Sequence, residues 1–168
     1  MSVAMYDVTV PALNRAMKSL KIVLEKAEAH VAAKKLDPNA ILHARLFPDM
    51  FNTIRQVQTA TSMAHWGCAL LAGLERPDLP SDEATFADLQ ARVQKTVDYI
   101  AAFGPDKLNG SESKSVALKF PGRTMEFTGQ AFILEFILPN LYFHTAMTYA
   151  LLRHNGVEVG KQDFLARG

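Results

Sequence analysis

The sequence predicts an all-α protein, a four-helix bundle with long crossing connections and a short β-hairpin before its last helix. Three observations indicate this fold. Four segments repeat apolar residues at helical spacing, two of the connections are long enough to cross a bundle, and one stretch near residue 120 alternates apolar and polar residues. A chain of 168 residues suits one domain over residues 1–168, with a single core.

The first helix is predicted from a stripe of apolar residues spaced three and four apart. Pro11 suits a position near the start of this helix, or would kink the helix if it begins at Ser2. Asp37-Pro38-Asn39 ends the pattern, and the connection that follows is expected to run to about Phe47. The stripe comprises Val10, Leu13, Met17, Leu20, Leu24, Ala27 and Val31.

The second and third helices are bounded by proline and glycine signals. Pro48 fits an early helical position, so the second helix is predicted from Pro48 to Ala72, before Gly73. The third helix is predicted to follow a cap at Ser81 and to stop at Gly104-Pro105. The short loop between these two helices favours antiparallel neighbours.

A line of polar and small residues borders the apolar face of the second helix. Asp49 and Gln56 are seven residues apart, so they would lie about two turns apart on one side. Asp49 would lie in the first turn, where the helix dipole favours a carboxylate. Ala60 and Gly67 continue the line and would let another helix come close.

The hairpin and the last helix follow a loop at residues 110–114. Residues 116–127 alternate in polarity around a turn at Pro121-Gly122-Arg123, which indicates two short antiparallel strands. Thr128 is predicted to cap a helix that runs to about His154, and Asn155-Gly156 would close it in a left-handed conformation. The tail carries apolar residues that would pack back on the body.

The last helix places polar residues within its apolar stripe. Asn140 and His144 are one turn apart on the side that carries Ile137 and Leu141. Buried polar groups need partners, so this string should be bonded across the core. Asp49, Gln56, Asn140 and His144 are therefore the candidate ligand-binding residues. The alternative interpretation is a hydrogen-bonded network that only fixes helix register.

Composition excludes several classes of protein. The net charge is +1 with scattered Lys and Arg, so no basic face suited to nucleic acid is expected. The lone Cys68 suits a reducing cytoplasm and lies on an apolar face. The N-terminal segment lacks the pattern of a signal peptide, and no apolar run reaches the length of a membrane span.

Several motifs resemble those of an uncharacterised bacterial family in the DinB/YfiT-like bundle superfamily. They are residues 45–51 (RLFPDMF), 56–58 (QVQ), 138–144 (LPNLYFH), 152–156 (LRHNG) and 160–164 (GKQDF). The resemblance covers essentially the whole chain and implies a four-helix bundle with crossing connections, of a kind often found as a homodimer. In better-understood relatives, three histidines hold a divalent metal, one on the second helix and two in an H-x-x-x-H pair on the last.

This sequence departs from that metal pattern. His144 matches the second histidine of the pair, whereas Asn140 stands at the first. The polar residues on the second helix are Asp49 and Gln56 rather than histidine. The sequence therefore assigns no cofactor, and a divalent ion such as Zn, Ni or Mn on His144 and Asp49 is the alternative.

The function expected from these residues is small-molecule binding in a polar pocket inside the bundle of a cytoplasmic protein, with the three-histidine site degenerate. Two alternatives stay open. One is a divalent-metal-dependent enzyme such as a thiol transferase, which the resemblance implies. The other is a structural or regulatory homodimer without pocket chemistry, for which Trp66 on the polar side of the second helix is a candidate contact unless the long loops cover it.

Overall fold

A computed structural model describes residues 4–167. Residues 1–3 and residue 168 lie outside the described residues. The prediction that the N-terminal segment is not a signal peptide falls partly on residues 1–3. The described chain forms α1 (Met5–Lys34), α2 (Pro38–Leu42), α3 (Thr53–Leu71), α4 (Phe86–Ala101), α5 (Pro105–Leu108), β1 (Ser115–Phe120), β2 (Arg123–Thr128), α6 (Gly129–Ala131), a π-helical segment (Phe132–Ile137), α7 (Leu138–His154) and α8 (Lys161–Phe164).

The four longest helices surround one apolar core. α1 and α3 each pack against both α4 and α7. The predicted stripe of α1 is buried in full, with Leu13, Met17, Leu20 and Leu24 completely shielded from solvent. The prediction of a mostly helical protein with a hairpin before the last long helix is confirmed.

The break after α1 is built by a left-handed residue and a new cap. Lys35 adopts φ 55° and ψ 42°, which ends α1 although the residue is not glycine. Asp37 then accepts a hydrogen bond from the backbone N–H of Asn39 and starts α2 with Pro38 in its first turn. The break follows from the sequence pattern, whereas the short helix was not predicted.

The predicted start of the second helix at Pro48 is wrong. α3 begins at Thr53, because Asn52 accepts a hydrogen bond from the backbone N–H of Arg55 and serves as the cap. Pro48 and Asp49 lie in a turn before it, where the N–H of Met50 donates to the carbonyl of Phe47. Asp49 is therefore not in a helical first turn.

The predicted cap of the third helix is also displaced, so the loop before this helix is not short, as predicted, but spans 14 residues, 72–85. Thr85, rather than Ser81, accepts a hydrogen bond from the backbone N–H of Asp88, and the Asp88 carboxylate accepts one from the N–H of Thr85. This reciprocal pair is a stronger start signal than an isolated serine, because it satisfies two backbone donors. α4 ends at Ala101, shortly before the predicted stop at Gly104-Pro105, and Pro105 begins α5.

The predicted hairpin is present, with β1 antiparallel to β2 and Val116 opposite Phe127. Val116 and Leu118 are buried while their neighbours are exposed, so one face of the strand lies on the helical body. Gly122 adopts φ +79° in the turn.

The last long helical region starts at the predicted cap, Thr128, whose hydroxyl accepts a hydrogen bond from the N–H of Ala131. It is interrupted by the π-helical segment, which ends at Ile137, two residues before Pro139 in the first turn of α7. Proline donates no backbone hydrogen bond, so the bonding pattern must shift near it. The predicted close approach at Gly67 is present: a Cβ there would lie 3.2 Å from Cγ2 of Ile137.

The C-terminal segment packs back on α1, as predicted. Gly156 takes φ +86° at the end of α7, and Val159 is buried. Lys26 forms an ion pair with Asp163 at 2.8 Å. No helix within residues 4–167 is both long and apolar enough to span a membrane.

Candidate functional site

The central polar contact joins α7 to α3. Nδ1 of His144 lies 2.7 Å from Oε1 of Gln56. The Gln56 amide nitrogen donates in turn to the carbonyl oxygen of Phe51 at 3.2 Å. Two of the predicted residues thus meet directly across the core. This is the hydrogen bond between helices that the buried polar residues of the last helix were expected to make.

This chain of hydrogen bonds assigns the protons. The Phe51 carbonyl only accepts, so it fixes the amide nitrogen of Gln56 on its side and turns Oε1 toward the imidazole. An amide oxygen also only accepts, so Nδ1 of His144 carries the hydrogen and Nε2 carries a lone pair.

Nε2 of His144 is available for a ligand. It has no hydrogen-bond partner among residues 4–167. Within that range, the side-chain N and O atoms that are both fully enclosed and unpaired are the hydroxyls of Thr9 and Ser19. Nε2 is not one of these atoms, so it keeps contact with solvent although His144 is only 8% exposed. Burial, and secondarily the charge of Arg55, lowers the pKa of His144 to about 4. The imidazole is therefore neutral at pH 7.

Two aromatic rings flank this imidazole and face solvent. The ring of Phe51 stacks with that of His144 at 6.1 Å between centroids, and the ring of Phe143 meets it edge-on at 5.2 Å. Phe51 is 44% exposed and Phe143 is 50% exposed. The guanidinium of Arg55 lies 5.6 Å above the Phe51 ring. A polar acceptor thus lies beside exposed aromatic surface.

The other two predicted residues do not join this hydrogen-bonded pair. The half-buried Asn140 donates to the carbonyl oxygen of Phe136, one turn back along its own helical region, at 2.7 Å. Asp49 is exposed in the loop before α3 and makes no side-chain hydrogen bond or ion pair within the described chain. Asp49 nevertheless stands two residues before Phe51 in this loop, at the edge of the site.

Comparison with known proteins places the chain in a family. Residues 5–165 match the family model described as Domain of unknown function (DUF1993). The chain belongs to the DUF1993 family. No curated protein matches it.

This DUF1993 protein is also similar to a DinB family member from Shewanella denitrificans whose crystal structure was determined at 1.83 Å resolution. The two are 38% identical, and the match covers 95% of this chain and 90% of the other, with a TM-score of 0.84. The family that the sequence motifs indicated, an uncharacterised one with a DinB-like fold, is thereby confirmed.

The side chains of the DUF1993 protein do not fit a metal centre of the three-histidine type. Within residues 4–167, no group of three or more His, Cys, Asp or Glu residues lies close enough to hold an ion. The amide oxygen of Gln56 is committed to His144, and the amide nitrogen of Asn140 is committed to its own helical region. One imidazole nitrogen and one amide oxygen are too small a donor set for a structural or catalytic zinc ion.

A second polar cluster, on the α4 side of α3, was missed by the sequence analysis. Its centre is the buried Arg92 of α4, which pairs with Glu83 at 2.7 Å. Its remaining N–H groups point to acceptors of Thr61, Pro80, Gln58 and Ser62. A signal was available, because Arg92 is three residues after Leu89 and so falls within the apolar stripe of its helix.

This cluster borders a cleft of about 390 Å³, whose lining includes His65 and Lys95. Burial raises the pKa of Glu83, but hydrogen bonds from Arg92 and Gln58 outweigh it and hold that pKa below the usual value. The carboxylate therefore stays ionised beside the guanidinium.

Cys68 and Trp66 are both accounted for by their structural surroundings. Burial raises the pKa of the Cys68 thiol to about 12, so it is not a thiolate at neutral pH. Trp66 is covered within the chain: the Arg76 guanidinium lies 4.8 Å above its ring, and Phe120 of β1 meets the ring edge-on at 6.4 Å. The loop and the hairpin thus account for this aromatic residue.

Proposed function

We propose that this DUF1993 protein binds a small aromatic molecule that bears a hydroxyl, thiol or amine group, at the His144 end of the α3–α7 contact. The four longest helices would act as a DinB-like four-helix bundle that holds the site rigid. The observation that carries the proposal is the unpaired Nε2 lone pair beside two exposed aromatic rings.

The ligand's donor group would bond to Nε2 of His144, and its ring would pack on Phe51 and Phe143. The combination of apolar walls with one or two oriented polar groups is typical of small-molecule sites. Gln56 holds the imidazole in the accepting tautomer. Asp49 and the free oxygen of Asn140 would contact polar substituents at the edge of the site.

Nε2 of His144, the same acceptor, is also the group at this site that can act as a general base. A neutral imidazole within hydrogen-bond reach of a bound hydroxyl or thiol can take its proton as a general base. The lowered pKa makes His144 a weak base at neutral pH, which suits ligand orientation better than proton abstraction. Binding is therefore the function proposed, and no reaction step is assigned.

A metal-dependent thiol transferase remains the second hypothesis from the family resemblance. One observation favours it: in metal sites, a ligating histidine usually donates its other ring N–H to an oxygen acceptor, as His144 does to Gln56. The remaining donor set does not fit, so no step through a metal is derived. A homodimer likewise remains an expectation from the resemblance.

The test uses two probes that differ in one donor group, p-cresol and toluene. Each is titrated into the wild type and into His144→Phe. The amides of α7 are followed by NMR in both proteins, and the ring resonances of His144 are followed in the wild type. We expect p-cresol to bind the wild type more tightly than toluene does, and the difference to disappear in His144→Phe. Equal binding of both probes to the wild type, or no binding of either, would refute the proposal.

A further inference from the structure

The cleft of about 390 Å³ lies between α3, α4 and the loop at residues 72–85, away from the His144 site. His65 lines it, and His65 follows Gln56 by nine residues on α3. That separation is about 14 Å along the helix and about half a turn around it. The cleft and the His144 site therefore lie on opposite sides of α3.

His65 presents an unused acceptor to this cleft. Its side chain is 6% exposed, and Nδ1 lies 3.0 Å from the carbonyl oxygen of Thr61. Because a carbonyl only accepts, Nδ1 carries the hydrogen and Nε2 carries a lone pair. Nε2 has no hydrogen-bond partner among residues 4–167. Because it is not one of the fully enclosed unpaired atoms in that range, it is open to the cleft.

The orientation of this ring is fixed from two sides. The Tyr99 ring stacks on it at 4.2 Å between centroids, with 29° between the planes. The hydrogen bond from Nδ1 to the carbonyl of Thr61 also holds the ring. An acceptor held in this way points in one direction, which is what a specific site requires.

The charges of the cleft select against a charged ligand. Arg92 and Glu83 neutralise each other, and each N–H of the guanidinium already has an acceptor. The remaining lining charges are Asp82, Asp88 and Lys95, which have both signs. A cation would meet Lys95 and an anion would meet the two carboxylates, whereas hydroxyl groups can pair with either sign.

We propose that this cleft is a second binding site, for an uncharged polyhydroxylated molecule of the size of a cyclic polyol or a monosaccharide. One ligand hydroxyl donates to Nε2 of His65. Others donate to the carboxylates of Asp82 and Asp88 and accept from Lys95. The volume lies within the range of about 300–1,000 Å³ that is usual for ligand pockets.

The test is an NMR titration of the full chain with D-glucose, D-ribose and myo-inositol. His65→Phe removes the acceptor but keeps a ring for Tyr99, and His144→Phe is the matched control on the other side of α3. We expect at least one probe to shift amides of α4 and the ring of His65. Its affinity should fall at least tenfold in His65→Phe and stay unchanged in His144→Phe.

Lys95→Met, a change at an exposed position, gives a second measure if His65→Phe does not fold; it should also weaken binding. The proposal is overturned if none of the three probes shifts these resonances, or if the affinity is equal in the wild type and the cleft variants. Tighter binding of methylammonium or acetate than of the polyols would overturn it as well. The p-cresol titration reports on His144 separately, so either site can fail alone.

Discussion

The imidazole of His144 and the amide of Gln56 form a 2.7 Å hydrogen bond between α7 and α3, and this bond determines which ring nitrogen faces outward. The contact joins residues 88 positions apart in the chain. Its two effects, on stability and on the acceptor at Nε2, can be separated by experiment.

The energetic coupling of this pair is measurable by a double-mutant cycle. His144→Phe and Gln56→Met each leave a buried polar group without its partner, so each should destabilise the protein by about 1–3 kcal/mol. The double variant should lose less than the sum of the single losses, with a coupling of about 1 kcal/mol. Urea unfolding gives all four free energies. Strict additivity would show that the bond contributes nothing specific.

His144 should make stability depend on pH. Its pKa is about 4 in the folded protein, below the value of about 6.5 expected in the unfolded chain. The unfolded chain therefore binds the proton more readily between those values, so stability present above about pH 6.5 is lost as the pH falls toward 4.

The matched variant is His144→Gln, which cannot titrate. Its free energy of unfolding relative to the wild type should be constant above about pH 7 and improve progressively as the pH falls to about 4. The pKa of His65 is also lowered by burial, but His65 is present in both proteins and its effect cancels. A difference that does not vary with pH would contradict the assignment.

The Arg92–Glu83 pair should be essential for stability. Arg92→Met leaves the carboxylate of Glu83 largely buried without its cation, so we expect a loss of about 3–5 kcal/mol. Adding Glu83→Gln should restore much of that loss, because the uncompensated charge is removed. Lys95→Met, one turn further along α4 and exposed, is the control and should change stability by about 0.5 kcal/mol or less. Failure of the second substitution to rescue would rule out this explanation.

Gly129 should not tolerate a side chain. A Cβ there would lie 2.0 Å from the backbone oxygen of Ser111, where β2 leads into α6. Gly129→Ala should therefore cost at least about 1–3 kcal/mol in thermal or urea unfolding. Gly160→Ala is the control, since its Cβ would lie 4.0 Å from Asp163 and its φ of −127° suits any residue. Equal stability of the two variants would contradict the close approach.

Metal content discriminates the two functional hypotheses. Protein purified without a His tag should contain less than stoichiometric Zn, Ni or Mn, because His144 lacks companion ligands within residues 4–167. Elemental analysis of the wild type beside His144→Ala measures this directly. Stoichiometric metal in the wild type that disappears in the variant would instead support the metal-dependent enzyme.

Helical periodicity predicted the core well, since the stripe of α1 and the cap at Thr128 depend on local sequence. Helix starts were predicted less well where two caps compete. Pro48 and Ser81 are plausible starts, but Asn52 and the Thr85–Asp88 pair bond backbone donors more completely. Asp49 was misplaced for this reason.

The candidate site was predictable only in part. His144 and Gln56 lie on core-facing sides of their helices, so their meeting followed from the wheel. The commitment of Asn140 to its own helix depends on the carbonyl of Phe136 at the end of the π-helical segment, which periodicity does not reveal. The His65 cleft depends on the path of a loop of 14 residues, 72–85, and such paths are set by tertiary contacts.

The most direct test of the proposed acceptor is the nitrogen NMR spectrum of the His144 ring in the ligand-free protein at pH 7. The structure predicts a neutral ring with the proton on Nδ1, bonded to Gln56, and a bare Nε2. A neutral ring with the proton on Nε2, or a charged imidazolium, would contradict the account, because neither form offers an acceptor to a ligand.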